Sequence, residues 1–399
     1  MKTHTYIFPL KTLVSLLLHR RYDIFYLRNF FLFLGILLFF GFNITFSQNH
    51  DCWNNFRGDA RLSGVSDAVI PDKPDLLWTF KANDSFKASP VVCKNTIVIG
   101  SVDGNVYGIT LQGKLLWKIN TENSIESPAL IVEDVAYIGN LNGELFAIEL
   151  ISGKILWTYK TDNQIMGSSN YFSNGINRII VVGSYDYCLH GVDMKTGKGL
   201  WKYEADNFIN GSPSIYKGQV IFGGCDGLLH QVNAANGILK KRIEVATYVA
   251  GSVAVEDGMA YVGDYDGKFS CLDINSMKIL WVFLNESVKQ PFIASPAISE
   301  TKVFIGNRDK YLYCLDKKNG NLQWKINTGG GIDASPVLIA KRLLVANMRG
   351  DLLLVDTSDG KISWSYEIGS PVAGNPAVID NYIIAGANDG RVYCFGKKR

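Results

Sequence analysis

The sequence predicts an all-β protein, an eight-bladed β-propeller of four-stranded antiparallel blades, and three observations predict it. First, residues 127–157 (SPALIVEDVAYIGNLNGELFAIELISGKILW) open on Ser-Pro, run through apolar segments split by Asn142-Gly143, turn again at Ser152-Gly153-Lys154 and end on Trp157. That is the pattern of four short antiparallel strands joined by tight turns. Second, the stretch recurs. Its Ser-Pro slot is filled at Pro90, Pro128, Ser169, Pro213, Val253, Pro296, Pro336 and Pro376, and its tryptophan slot at Trp78, Trp117, Trp157, Trp201, Lys241, Trp281, Trp324 and Trp364. Both series advance by 38 to 44 residues, and a period of about 40 with four strands per unit is one propeller blade per repeat. Third, the two series are offset. The last Ser-Pro unit stops at Phe395 before any tryptophan strand, whereas residues 76–81 (LLWTFK) precede the first Ser-Pro unit. Residues 76–81 are therefore expected on the outside of the eighth blade, closing the ring and leaving no exposed edge between first and last blades.

Three segments follow: an export signal or membrane anchor (1–47), an amino-terminal lead-in (48–75) and the propeller (76–399). In the first, residues 30–42 (FFLFLGILLFFGF) are apolar and follow Arg20, Arg21 and Arg28, with small residues at Thr45 and Ser47 before Gln48. That is the layout of a cleaved signal, and the run is shorter than the ~20 residues of a membrane span. An uncleaved anchor over residues 30–46 is the alternative. Asn49-His50-Asp51 before Cys52 fits a lipid-attachment site poorly.

The net charge is +3, of which the first 47 residues carry +4, so the body is near −1. A near-neutral body argues against nucleic acid, which asks for a basic face. With 47% hydrophobic residues, the chain can bury a large core.

The lead-in (Trp53 to Gly64, WNNFRGDARLSG) lies outside the repeat and is expected across one face or the channel mouth. Its Arg57-Gly58-Asp59 reads as a chance tripeptide, not an adhesion signal. In each blade, Ser-Pro sits where the inner strand begins, an edge position that tolerates proline. Second strands (97–99, 179–182, 220–222, 303–305) are continuous apolar runs, expected where both faces are covered. Hairpins follow at Asp103-Gly104, Asn142-Gly143, Asp226-Gly227, Asp266-Gly267 and Asp389-Gly390, with departures at Asp186-Tyr187, Asp309-Lys310 and Arg349-Gly350. Asn-Gly and Asp-Gly favour a type I′ turn. Asp264-Tyr265-Asp266-Gly267 is read as such a turn and not as a calcium loop, which needs six to eight oxygens.

The seven cysteines do not pair evenly. Cys271, Cys314 and Cys394 share one repeat position, too far apart for disulfides, and read as small buried residues between blades. His190 and His230 share another, held elsewhere by Tyr107, Phe146, Tyr313 and Tyr393, and read as members of an aromatic packing slot.

Residues 191–201 (GVDMKTGKGLW) and 354–364 (LVDTSDGKISW) resemble the tryptophan-docking motif of the pyrroloquinoline quinone (PQQ)-type repeat propellers, over roughly residues 76–396. Trp53…Phe56-Arg57-Gly58 resembles the opening segment of that family. The resemblance implies structural docking roles for Trp78, Trp117, Trp157, Trp201, Trp281, Trp324 and Trp364. It also implies one of two functional branches. Quinoprotein dehydrogenases bind PQQ and calcium on the propeller axis. The non-enzymatic branch includes the propeller component of the outer-membrane β-barrel assembly machinery, which binds protein. Here seven of eight tryptophans occupy the docking slot, the blades are nearly minimal, and neither a vicinal cysteine pair nor Cys-x-x-Cys-His occurs.

These features favour an exported, monomeric, non-catalytic scaffold without cofactor, binding an envelope protein, with a membrane link only through an uncleaved leader. A quinoprotein dehydrogenase is the alternative, and a carbohydrate-binding propeller using Tyr185 and Tyr265 a second. The expected binding face carries the second-to-third-strand hairpins, with Tyr185, Tyr265, Arg308, Met348 and Arg349, and the connections between blades, with Phe86, Met166, Phe208, Tyr248 and Phe292. Aromatic, methionine and arginine side chains are the types enriched at interfaces. The opposite side, with Lys114, Lys154, Lys198 and Lys361 beside turn glycines, is expected to be solvated.

Overall fold

A computed structural model describes residues 52–245, 247–249, 251–285 and 288–398; the signal and anchor readings lie outside them. Among the described residues no helix is long and apolar enough to cross a membrane.

Eight sheets stand in a ring, each with four antiparallel strands from the axis outward, and in blade seven the lead-in strand Val65–Ser66 adds a fifth, parallel to the inner strand Val337–Ile339. Blade one is Val91–Cys93, Thr96–Gly100, Asn105–Thr110 and Leu115–Asn120. Blade eight takes three strands from the carboxyl end and its outer strand, Asp75–Lys81, from the amino end. Leu76 pairs with Phe395, Trp78 with Cys394 and Lys81 with Arg391. The ring closes as the offset of the two series predicts. Second strands are buried along nearly their whole length, while outer strands alternate exposed and half-buried.

Two contacts, repeated around the ring, hold neighbouring blades together. Each connection between blades drives one apolar side chain between them: Phe86, Ile125, Ile165, Ile209, Val249, Phe292, Ile332 and Val372, all essentially inaccessible. The glycine ending the second strand makes room, since a Cβ at Gly100 would lie 2.2 Å from Ile125 Cγ2. In blade seven Ala346 takes that place. The second contact is the tryptophan. Trp78, Trp117, Trp157, Trp281 and Trp324 each donate their indole N–H to a carbonyl on the next blade, at 2.9–3.2 Å. The indole lies on that blade's turn glycine; a Cβ at Gly113 would sit 2.7 Å from Trp78. Where Lys241 replaces tryptophan, its ammonium reaches the carbonyl of Asn275, one residue beyond the position whose carbonyl the indoles bond. The turn beneath then has Met277 at its positive-φ position (53°), because no indole needs the space.

Cys271, Cys314 and Cys394 are buried directly opposite Trp281, Trp324 and Trp78, as small residues under the indoles. Cys52 and Cys93 form a disulfide that the cysteine spacing did not disclose, because Cys52 lies outside the repeat.

The hairpin turns differ from the expected type I′. Gly143 has φ 80° but Asn142 is not at positive φ, and the loop is closed by Gly143 N–H to the Asn140 carbonyl (3.1 Å). A four-residue loop ending in a left-handed residue needs only one positive φ. Tyr187 (71°) and Lys310 (76°) therefore keep the same backbone without glycine. Type I′ geometry, with both φ values positive, appears instead between first and second strands, at Lys94-Asn95, Lys217-Gly218 and Asp257-Gly258.

Candidate interaction rim

The axis is closed by the chain itself. The lead-in runs around it and bonds the inner strands in blade order. Trp53 exchanges two hydrogen bonds with Val92, and the carbonyls of Asn54, Ala60, Arg61, Ser63 and Gly64 accept from Ile131, Ile215, Val255, Ile298 and Leu338. Asn170 completes blade three by donating to Ala60. Arg57 is fully buried at the centre and donates to the carbonyls of Pro336 (2.7 Å) and Pro296 (2.6 Å). Burial lowers its pKa to about 9, against the help of Asp59, and it remains charged at neutral pH. Asp59 accepts from Arg61 and Ser63. The Arg-Gly-Asp tripeptide is thus an internal hub.

Above the lead-in, the serines of the Ser-Pro motif form a belt. Backbone N–H groups of Ser168, Ser212, Ser295, Ser335 and Asn375 donate to the side-chain oxygen of the next blade's equivalent residue, at 2.7–2.8 Å, including the closing step from Asn375 to Ser89. A funnel of about 170 Å³ opens above this belt, lined by Phe56, the serines, Lys87, Met166, Asn210 and Asp333 among others.

The hairpins and the connections share the funnel side. In all eight blades one hairpin N–H donates to a connection carbonyl, from Val102, Leu141, Tyr185, Cys225, Tyr265, Arg308, Met348 and Asn388. Tyr185, Tyr265, Arg308 and Met348, chosen from sequence as separate hairpin residues, are one repeat position. What they share in the ring is the backbone N–H, so their side chains are free to differ.

They assemble with the connections into one aromatic sector. Tyr185 stacks on Phe208 with centroids 4.8 Å apart, Tyr187 leans on the same ring at 5.1 Å, and Tyr265 meets Tyr248 edge to face at 4.8 Å. Asn210 donates to the Tyr248 hydroxyl (3.3 Å). Burial raises the Tyr248 phenol's pKa, helped by its hydrogen bond to Cys225. Arg308 forks onto Asp333 with two bonds of 2.8 Å, which raises its pKa. Tyr265 is 47% exposed and Tyr187 40%. Arg349 is exposed and turns back to Asp351 (3.0 Å) beside the half-buried Met348.

The five connection residues fall at three different repeat positions. Phe208 and Tyr248 supply the carbonyls that the hairpins bond, and their rings face the rim. Met166 lines the funnel. Phe86 and Phe292 are a correction to the expected face: at 0% and 1% exposure they are wedges between blades and offer nothing to a partner. All five sit in short polar loops of similar composition, so sequence alone did not separate them. Lys114, Lys154, Lys198 and Lys361 lie exposed on the third-to-fourth-strand turns.

His190 and His230 join Tyr107, Tyr313 and Tyr393 in one buried slot whose polar end bonds the hairpin aspartate four residues earlier. Phe146 occurs in the slot where the hairpin residue is Asn142, and Leu353 where it is Arg349. Burial works against the Asp186 charge, but the hydrogen bond and charge of His190, with the N–H groups of Asp162 and Cys188, outweigh it and hold its pKa at about 2.

The repeat, its docked tryptophans and the closed ring resemble those of PQQ-type repeat propellers. A profile described as outer membrane protein assembly factor BamB matches residues 68–174 and 308–398 of the chain. No curated protein matches it in sequence. Among solved structures, BamB from Moraxella catarrhalis is similar over 81% of this chain and all of its own, at TM-score 0.70 and 18% identity. The computationally designed Ika8 protein covers 81% and 99% at 0.68 and 17%. A europium-containing methanol dehydrogenase covers 88% and 99% at 0.73 and 12%. At these identities the likeness is one of fold.

The quinone and metal of the dehydrogenase branch do not fit the donor set on this axis. Among the described residues, the funnel's one carboxylate, Asp333, is taken by Arg308, where a hard cation asks for six to eight oxygens. Among them too, the one aromatic lining residue is Phe56, and no tryptophan faces the funnel. Beneath lie Arg57 and the lead-in.

Proposed function

We propose that the chain is a non-catalytic propeller scaffold of the cell envelope whose hairpin rim captures a protein partner, with outer-membrane protein assembly as the process it would serve. The observation that carries this reading is the aromatic sector of Tyr185, Phe208, Tyr248 and Tyr265 with Arg308 at its border. Stacked, partly exposed tyrosines with an adjacent arginine are the side chains that dominate binding energy at protein interfaces. The neutral body, the crowded axis and the likeness to BamB agree with it. The Cys52–Cys93 disulfide suits an oxidising compartment and with it export.

The test is capture from envelope extract by the immobilised full chain, followed by competition with a Tyr265→Ala, Arg308→Ala double variant. The expected result is one enriched protein that the variant retains poorly. In parallel, titration with PQQ and calcium is expected to give no saturable signal. Micromolar PQQ binding with dye reduction by an alcohol, and no captured protein, would move the chain to the dehydrogenase branch.

A further inference from the structure

Blades three and four carry the same buried trio. In blade three, His190 Nε2 lies 3.0 Å from Asp186 Oδ2 and its Nδ1 lies 3.0 Å from the Tyr159 hydroxyl. In blade four, His230 Nε2 lies 2.9 Å from Asp226 Oδ2 and its Nδ1 lies 2.9 Å from the Tyr203 hydroxyl. Both imidazoles are fully buried. Between aspartate and histidine, however, blade four has Leu228 and blade three has Cys188, a free and partly exposed thiol. Packing alone is served equally well in blade four without sulfur.

The thiol is not merely near the other two groups. Residues 188 and 190 are two apart on one strand, so their side chains share a face. One ligand atom each of Asp186, Cys188 and His190 lies within 4.8 Å of the others. Glu204 stands directly opposite Cys188 across the strand pair, on the same face. Lys202, opposite His190, leans toward Asp162 at 3.8 Å. The geometry points to a site for a borderline-soft divalent cation of the zinc type, held by Asp186, Cys188 and His190, with water or Glu204 in the fourth position.

Nitrogen, carboxylate oxygen and thiolate sulfur are the ligand types zinc takes, at about 2.0–2.3 Å in tetrahedral array. Those bond lengths set nitrogen and oxygen about 3.4 Å apart, a few tenths of an ångström wider than the 3.0 Å observed. The ion would thus replace the proton shared by His190 and Asp186 with little movement. Binding releases the Cys188 thiol proton to solvent. The imidazole proton moves from Nε2 to Nδ1, where the Tyr159 oxygen accepts it. A histidine ligand fixed by a hydrogen bond at its other nitrogen is the usual arrangement at protein metal sites. The ion enters from the Cys188 side, the accessible edge of the trio. Asp186 lies in the hairpin between Tyr185 and Tyr187, but the proposal does not rest on the rim's role.

Cobalt(II) is the probe, since a thiolate ligand gives it a near-ultraviolet charge-transfer band. The full chain is expected to take up one equivalent with that band. Cys188→Ser should abolish the band with an unchanged melting temperature. Leu228→Cys should recreate the site in blade four and double the band at two equivalents. The other free thiols, Cys225, Cys271, Cys314 and Cys394, are buried. Absence of a stoichiometric band in the native chain, or its survival in Cys188→Ser, overturns the proposal. A folded Leu228→Cys chain with no second equivalent also overturns it, because its aspartate and histidine are set as in blade three.

Discussion

The same eight repeats build both rims of the ring, yet the rims differ in what varies between blades. On the turn rim, the side chain that crosses to the next blade is tryptophan in seven blades, and the one exception, Lys241, comes with a changed turn at Met277. On the hairpin rim, the position that bonds the connection holds valine, leucine, tyrosine, cysteine, tyrosine, arginine, methionine and asparagine in turn. The first position gives its side chain to the ring, whereas the contribution the second makes in every blade is its backbone N–H. A residue whose side chain the neighbouring blade requires is fixed by that blade. A residue that contributes only backbone can be shaped by something outside the ring. The aromatic sector arises at positions of the second kind.

That contrast can be broken most severely at the closing strand. A chain starting at residue 82 lacks Asp75–Lys81 as well as the lead-in, exposing the strand Arg391–Gly396 as an edge. Aggregation or loss of a cooperative transition is expected by calorimetry and light scattering; a soluble fragment with the native melting temperature would disprove the clasp. Next in size is the turn rim. Trp117→Ala removes a buried indole and its bond to the Leu150 carbonyl, and should cost about 3–5 kcal/mol in urea unfolding. Lys241→Ala, at the same repeat position, should cost less than about 1 kcal/mol.

On the hairpin rim the order of effects reverses. Tyr265→Ala with Arg308→Ala should shift stability little, yet weaken partner capture by about 30-fold, the equivalent of about 2 kcal/mol. Alanine at Lys114, Lys198 and Lys361 should leave capture unchanged. If the lysine variants lose capture and the rim variant does not, the partner binds the turn rim. The smallest effect concerns acid. The Asp186 pKa is about 2 in the fold against an ordinary 3.8. A lowered carboxylate pKa adds stability above the ordinary value, which is lost as pH falls through the folded one. Unfolding midpoints should therefore drop between pH 4 and about 2, and Asp186→Asn should flatten that slope without abolishing it.

Blade number, strand order and the clasp were legible because each rests on periodicity, and eight copies average out local exceptions such as Lys241. The histidine slot was legible as packing for the same reason. The disulfide was not, because Cys52 belongs to the one segment without a repeat. Nor were the buried roles of Phe86 and Phe292. They stand where other blades have Ile125 or Val372, but their aromatic rings drew them into the same class as Phe208 and Tyr248, one residue earlier in the loop register. The equivalence of Tyr185, Tyr265, Arg308 and Met348 was present in the spacing and becomes a rim only when the hydrogen bonds place the hairpins against the connections.

The lead-in has a consequence for how the molecule is made. Residues 53–66 and Asp75–Lys81 leave the ribosome before any inner strand of the ring, yet their partners include Leu338 and Phe395. Neither can be satisfied until nearly the whole chain exists. Pairings this far apart in sequence are slow to form, because their loop entropy is lost before the contact rewards it. The nascent chain must carry its first apolar strand uncovered while seven blades accumulate behind it. The lead-in can meet its blades in turn as they emerge, and sealing of the circumference by Asp75–Lys81 is the last step.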